Sequence, residues 1–401
     1  MKWQVLKFGQ LAEIQPAVKL ERGKGYPFIA MEVLEPRHRY ITRNEIRIWD
    51  GGGGARFRDG DTIFARITPC LEHGKTAQIF GLSEEVGFGS TEFLVFRSRP
   101  GISDPNFIYY LACSNLIREP AIKSMIGASG RQRAKRAVIE DITLRVPLLP
   151  VQREIASVLS PYDDLIANNR RRIQLLEESA QLLYKEWFVY LRFPGHEHVK
   201  IVDGVPKGWI KTTIADLCDS VNYGYTASAT AEPVGPKFLR ITDIVPDVIN
   251  WSSVPFCSIP ENKKEQFLLK EGDVVVARTG ATTGYAKRIG KTHPKTVFAS
   301  YLIRLRLKSE IDDMLVGIFV ESDDYKSYIK AQVGGAAQPN ANAKIISSAK
   351  ILIPPNNIQR YFHEMIEPIF ECKDNLQAQN EKLTQARDLL LPRLMNGEIA
   401  V

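Results

Sequence analysis

Two kinds of hydrophobic pattern alternate along this chain. Short runs rich in β-branched and aromatic residues, such as "DTIFARI" (61–67), "TEFLVFR" (91–97), "DVVVART" (273–279) and "SYLIRLRL" (300–307), are bounded by Gly, Pro, Asn and Asp. That composition predicts strands closed by turns. Longer stretches at 105–126 and 312–333 read as helical patches. A third pattern belongs to long helices. From Leu159 an apolar seam advances in steps of three and four through Tyr162, Ile166, Asn169 and Ile173, then Leu176, Ala180, Leu183, Trp187 and Tyr190. A weaker seam of the same spacing runs through Ile366, Ile369, Lys373 and Leu376 to Asn380, Leu383, Arg387 and Leu390. Such stripes are those of coiled coils, and the first, about 40 residues long, would reach roughly 60 Å.

The chain says nearly everything twice. "DGDTIFARITPC" (59–70) returns as "EGDVVVARTGAT" (271–282), "EFLVFR" (92–97) as "YLIRLR" (301–306), and "VPLLPVQREI" (146–155) as "IPPNNIQRYF" (353–362). The offsets stay between 206 and 212, and Pro161 has its counterpart in Pro368. The fold class is therefore α+β: two pseudo-symmetric copies of a strand-rich domain, each followed by a long helix. The expected partition is a first domain over 1–147, a helix over 148–193, a linker over 194–208, a second domain over 209–354 and a second helix over 355–397. Proline interrupts the helical ladder, so Pro161 and Pro368 are expected to kink the helices or to mark where their straight parts begin.

Pseudo-twofold symmetry would pair the two helices as an antiparallel coiled coil. One register puts Asn169 opposite Asn380 and Ile173 opposite Leu376; it also pairs Ile166 with Leu383, Leu159 with Leu390, Leu183 with Ile366 and Trp187 with Phe362. Lys373 then lies beside Leu176 and Arg387 beside Tyr162, with their charged ends expected in water. Either the asparagine pair fixes this register, as buried polar pairs do, or both asparagines sit half exposed.

Composition narrows the class. The 401 residues are 44% hydrophobic and 25% charged, the balance of two ordinary globular domains. A net charge of +7 leans towards a polyanionic partner without naming one. Five scattered cysteines, never spaced C-x-x-C, suit a reducing compartment and argue against structural zinc. The amino-terminal residues contain no apolar signal region, and no stretch approaches the length of a membrane span, so a cytoplasmic protein with no membrane partner is expected.

Catalytic motifs fail on inspection. "RIGKTH" has Tyr285 where a phosphate-binding loop needs its first glycine. "GGGG" (51–54) reads as a loop, and "GHEH" (195–198) sits in a linker-like segment with no further metal ligands. No nucleophile elbow, zinc-protease helix or amino-methyltransferase motif is found, so no catalytic or metal-binding residues are expected. Basic clusters remain. "GRQRAKR" (130–136) supplies Arg131, Arg133, Lys135 and Arg136, and Arg37, Arg39, Arg43, Arg47, Arg56 and Arg58 add to the charge. The corresponding loop of the second copy, "GGAAQPNANAK" (334–344), is polar and offers Gln338 and Asn340. Arg66, Arg278 and Thr279 follow the repeated strands. Arg, Asn and Gln have the donors and acceptors that read base edges, and Arg and Lys neutralise phosphates.

Taken together, the tandem unit, "VPLLPVQREIASVL", "YKEWFVYLRFPGHE" leading into "GVPKGW", "GDVVVARTGATTG" and "LLLPRLMNGEI" strongly resemble the specificity subunits of type I restriction-modification systems. The resemblance spans essentially the whole chain. It implies two target recognition domains, each reading one half of a bipartite, asymmetric site on double-stranded DNA. It also implies helices that act as a ruler and dock two methyltransferase subunits, with restriction subunits joining them. S-adenosylmethionine, ATP and Mg would belong to those partners and none to this chain. The first copy has "ITPCLEHGK" where the second has "TGATTGYAK", so the two turns are not expected to make identical contacts. A structural or RNA-binding coiled-coil scaffold is the alternative.

Overall fold

The computed structural model describes residues 3–41, 44–127, 130–246, 248–334 and 339–401. It divides into two compact units, Met1–Asn168 with Lys382–Val401, and Asn169–Glu381. Each long helix therefore contributes residues to both units.

The first unit is built on an antiparallel sheet of four strands in the order Ala12–Ile14, Phe93–Ser98, Thr62–Ala65, Thr76–Gln78. The second repeats it with Cys218–Tyr223, Leu302–Leu307, Val274–Ala277, Ala286–Arg288. Strands Thr62–Ala65 and Val274–Ala277 are buried along their whole length because both faces are covered. Ile63 faces one apolar cluster and Phe64 another, and Val274, Val275, Val276 and Ala277 alternate between two clusters in the same way.

A parallel pair stands beside each sheet, Gly25–Ile29 with Val86–Gly89 in the first unit and Lys237–Leu239 with Thr296–Phe298 in the second. The first unit extends this pair with strands Glu45–Ile48 on one edge and Ala55–Arg58 on the other, and the second with single bridges, Phe256 to Lys237 and Leu268 to Val297. An antiparallel ribbon closes each domain just before its long helix, Trp3–Lys7 on Thr143–Pro147 and Ile210–Thr213 on Lys350–Ile353.

The repeated Gly-Asp turn explains much of the duplication. Gly60 and Gly272 hold φ of +86° and +80°, the left-handed region that glycine adopts without strain. The buried aspartate that follows accepts from a main-chain N–H across the turn, Arg58 to Asp61 at 2.9 Å and Lys270 to Asp273 at 2.8 Å. It also takes a bidentate pair from the neighbouring strand: Arg97 on Asp61 at 2.8 and 2.6 Å, Arg306 on Asp273 at 2.8 and 2.7 Å.

Four details refine these expectations. The helical patches at 105–126 and 312–333 are each a pair of helices, Pro105–Cys113 with Asn115–Lys123 and Asp313–Glu321 with Asp323–Val333. Ser114 and Ser322 lie in extended backbone between them, and each hydroxyl donates back to a carbonyl three residues earlier. The long helices, Leu149–Tyr184 and Asn356–Met395, run without a break through Pro161 and Pro368, and the first ends in a π-turn, Lys185–Val189. The segment expected as a linker, 194–208, is flanked by buried Phe193 and buried Trp209, whose ring centroids lie 4.8 Å apart.

The fourth detail concerns the helix seam. Within the second unit Asn169 meets Asn380, and Trp187 meets Phe362 at a centroid distance of 5.5 Å, so the helices are antiparallel in the expected register. Ile173, Ile366 and Leu376 are buried there, while Leu176 and Leu183 are half-buried. Lys373 reaches Glu177 at 3.0 Å instead of water. Within the first unit Leu159 and Ile166 are buried and Leu390 packs into the same cluster as Leu159, while Leu383 is half-buried. Arg387 there is sealed against Asp163 and does not send its charge to solvent. A guanidinium on an antiparallel seam can stay inside only if it finds a carboxylate across the interface, and Asp163 supplies one.

Candidate nucleic-acid interface

Two distant stretches converge in each unit. In the first, the basic loop is strapped across the exit of strand Thr62–Ala65. Ala134 N–H donates to Arg66 O at 2.8 Å, Ile67 bridges Arg133, and Thr68 N–H donates to Gln132 O at 3.0 Å. In the second, Ala341 N–H donates to Arg278 O at 2.8 Å, Thr279 bridges Asn340, and Gly280 N–H donates to Pro339 O at 3.1 Å. Each arginine N–H is also tied to the next strand's start, Arg66 to Glu92 O at 2.9 Å and Arg278 to Tyr301 O at 3.0 Å. The chain thus builds the same backbone strap twice and dresses it differently.

The side chains diverge accordingly. Arg66 turns one guanidinium nitrogen onto Ala134 O at 3.1 Å, whereas Arg278 donates to Asn340 Oδ1 at 3.1 Å and lies 4.9 Å from the centre of the Tyr223 ring. The Nε atoms of Arg66 and Arg278 are both buried and have no hydrogen-bond partner among the described residues. Arg133 grips Glu92 with Nη2 and Nε at 2.6 and 2.9 Å, and this pairing raises the pKa of its guanidinium above the ordinary value. Arg136 pairs with Glu140 at 2.9 Å on its own helix. Arg131 and Lys135 are exposed, as is Asn340, and Thr279 is partly exposed. Gln338 and Arg43 lie outside the described residues.

Of the other arginines, Arg39 is buried, while Arg47 lies 3.8 Å from the Phe28 ring centre and Arg56 stacks 4.8 Å from Trp49. Residues 51–54 form the expected loop, and it brings Gly53 beside Thr91, next to Glu92.

Three contributors escaped the sequence reading. Glu92 holds Arg133, the exposed Tyr223 ring lies beside Arg278, and the main-chain carbonyl of exposed Tyr301 accepts from the Arg278 N–H. Each sits at a strand end, and a strand-end aromatic beside an arginine was a legible signal for Tyr301 alone, which stands in the quoted repeat "YLIRLR". Chemically, the strap offers guanidinium and amide donors on a backbone held by hydrogen bonds, groups that can read base edges. No group of three or more His, Cys, Asp or Glu placed to hold a metal ion occurs among the described residues. Nor is any described helix long and apolar enough to cross a membrane.

Comparison with known proteins agrees with this geometry. Residues 1–178 and 206–385 each match the type I restriction modification DNA specificity domain. The chain is 27% identical over 413 residues to the specificity subunit of the type I restriction enzyme MjaIX of Methanocaldococcus jannaschii, covering all of this chain and 94% of that one. It is 23% identical over 409 residues to the MjaVIII specificity subunit of the same organism, covering all of this chain and 93% of its relative. In fold it resembles the crystal structure of the type I restriction-modification S subunit from M. genitalium, with a TM-score of 0.51 at 15% identity over 98% of this chain and 96% of that one. With two copies of the domain spanning nearly its whole length, the chain belongs to the family of type I restriction-modification DNA specificity subunits.

Proposed function

We propose that this chain reads a bipartite, asymmetric sequence on duplex DNA, one half-site per unit, and brings a methyltransferase and a restriction endonuclease to it. The observation that carries the reading is the duplicated strap. Identical backbone bonds at Arg66 and Arg278 hold loops of different chemistry, Arg131, Arg133 and Lys135 against Asn340. One scaffold displaying two different readers calls for two different half-sites, unlike the palindrome read by a homodimer.

The chain itself performs no chemistry in this proposal. Two methyltransferase subunits bring S-adenosylmethionine, and restriction subunits bring ATP and Mg. A second apolar stripe on the first long helix supports a helical partner. Leu175, Leu182 and Val189 are exposed at seven-residue intervals within the second unit, and Val158 and Leu165 repeat that interval within the first. Exposed apolar residues at heptad spacing are what a further helix covers.

The test is methylation mapping of cellular DNA with and without this gene, the neighbouring methyltransferase left intact. Loss of one gapped, asymmetric adenine-methylation motif is the expected result. A methylome unchanged by the deletion, with the methyltransferase shown to be active, would move a structural or RNA-binding scaffold to the front.

A further inference from the structure

The first unit contains a buried polar cluster. Arg39 is 3% exposed and donates to Gln78 Oε1 at 2.9 Å, Ser160 Oγ at 2.9 Å, Asn106 Oδ1 at 2.6 Å and the Tyr110 hydroxyl at 3.3 Å. That hydroxyl donates in turn to Asp163 Oδ2 at 2.6 Å. The other carboxylate oxygen of Asp163, itself 3% exposed, takes Arg387, which is 5% exposed. Arg387 also donates to the Arg37 carbonyl at 3.0 Å and to Asp388 at 2.8 Å, and Arg37 reaches Asp388 at 3.1 Å. The cluster thus joins the recognition fold, through residues 37–39, 78, 106 and 110, to the first long helix at 160 and 163 and the second at 387 and 388.

The second copy of the repeat serves as an internal control. The offset of 207 that relates Gln152 to Gln359 takes Asp163 to Phe370, and its reverse takes Arg387 to Ala180. The offset of 208 that relates Ser114 to Ser322 takes Tyr110 to Ile318. Ala180 and Ile318 belong to the apolar core of the second unit, and Phe370 packs against it. At these three positions the second copy is apolar, and its recognition fold meets the helices through other polar contacts, His363 with Asp312 at 2.6 Å, Lys291 with Glu367 at 3.3 Å and Gln181 donating to the Ile318 carbonyl at 3.2 Å.

Stability does not account for the ionic version, because replacing a buried ion pair by well-packed apolar residues is usually neutral or stabilising. Orientation does. Apolar surfaces slide over one another at small cost, whereas a guanidinium with four acceptors and a carboxylate shared between an arginine and a tyrosine are satisfied in one placement only.

We infer that the Arg39–Tyr110–Asp163–Arg387 cluster positions the first recognition fold on the helix pair and so makes the protein sensitive to the length of the gap between the half-sites. The inference rests on the bipartite reading proposed above. One extra base pair moves a half-site by about 3.4 Å and rotates it by about a tenth of a turn. A recognition fold locked by directional bonds cannot follow that displacement; one held by apolar contact can.

The test uses the complete complex with its methyltransferase and three duplexes carrying the mapped half-sites at the native gap, one base pair longer and one shorter. Tyr110→Phe removes the hydroxyl that links Arg39 to Asp163 and leaves both charges in place. The double variant Asp163→Leu/Arg387→Met removes both ions together, so that neither is left as an unpaired buried charge. Both variants are expected to methylate the native-gap duplex as the wild type does, while the preference for the native over the altered gaps falls by about tenfold. Wild-type gap preference in Tyr110→Phe and in the double variant would overturn the inference. So would a parallel loss of methylation on all three duplexes together with a lowered Tm, since that marks a merely structural role. If the double variant does not fold, Tyr110→Phe decides alone. A wild-type complex that methylates no gapped motif would instead remove the bipartite reading itself.

Discussion

Asn169 donates from its side-chain amide to Oδ1 of Asn380 at 3.1 Å, although Asn169 is only 5% exposed. Ile166 and Ile173, one helical turn to either side, are both buried. A shift of the helix pairing would leave the buried amide facing hydrocarbon and an isoleucine facing its polar partner, so the pair selects one register at some cost in stability. Asn169→Leu alone should lower the free energy of unfolding by about 1–3 kcal/mol, because Asn380 loses its partner. Asn169→Leu with Asn380→Leu should restore most of that loss. Urea unfolding of the three proteins checks both statements; additive losses in the double variant would contradict them.

Asp61 and Asp273 should matter for folding and not for DNA chemistry. Asp273→Ala leaves the Arg306 guanidinium without its bidentate carboxylate in a largely buried site and is expected to cost about 3 kcal/mol. Asp61→Ala should do the same through Arg97. Paired variants such as Asp273→Leu/Arg306→Met should recover stability, which chemical denaturation would show.

Arg278 and Asn340 form one unit on the second strap. Arg278→Ala, or Asn340→Ala, is expected to relax sequence preference in one half-site by about 1–3 kcal/mol per base pair read and to leave the other half-site unchanged. Methylation of a duplex library randomised in each half-site in turn provides the measurement. Equal relaxation of both halves would rule out the assignment.

Arg131 and Lys135 are exposed in the first strap. If they meet phosphates, Arg131→Ala/Lys135→Ala should weaken binding to all duplexes alike and reduce the dependence of log K on log salt by about two. Fluorescence anisotropy at several salt concentrations reads this slope, and an unchanged slope would place DNA elsewhere.

A carboxylate in the second unit predicts an acid limb. Burial works to raise the pKa of Glu321, but the charges of Lys287 and Lys373 and the main-chain N–H of Arg288 outweigh it, holding the folded value below the ordinary 4.5. A depressed folded pKa stabilises the protein above the unfolded value, and that contribution disappears as pH falls through the folded one. Thermal unfolding of the wild type should therefore steepen below about pH 4.5, and Glu321→Gln should flatten that limb while lowering Tm at neutral pH.

Much of the architecture was legible because the repeat acts as its own alignment. Gly60–Asp61 and Gly272–Asp273, or Gln152 and Gln359, stand at matching offsets in one chain. Their roles were not legible. The sequence shows the Gly-Asp stretch twice without a reason for it, and the structure makes its aspartates the buried partners of Arg97 and Arg306. Each glutamine amide donates to the carbonyl of the proline five residues earlier, at 3.0 and 2.9 Å, and so secures the start of a long helix. Arg39 and Arg387 appeared as surface charges because composition records the presence of an arginine and not the acceptors around it.

Periodicity and self-similarity alone determined that there are two α+β copies and two long antiparallel helices, and they named the register through Asn169 and Asn380. These are properties of spacing, and spacing is written in the sequence. Only the tertiary structure decided that Arg66 and Arg278 each meet a loop more than 60 residues away, that Ser114 and Ser322 split their helices, and that Arg387 is sealed on Asp163. Those outcomes depend on which donors and acceptors converge when distant segments pack, and the free energy of a buried charge is set by that local company rather than by the residue's place in the chain.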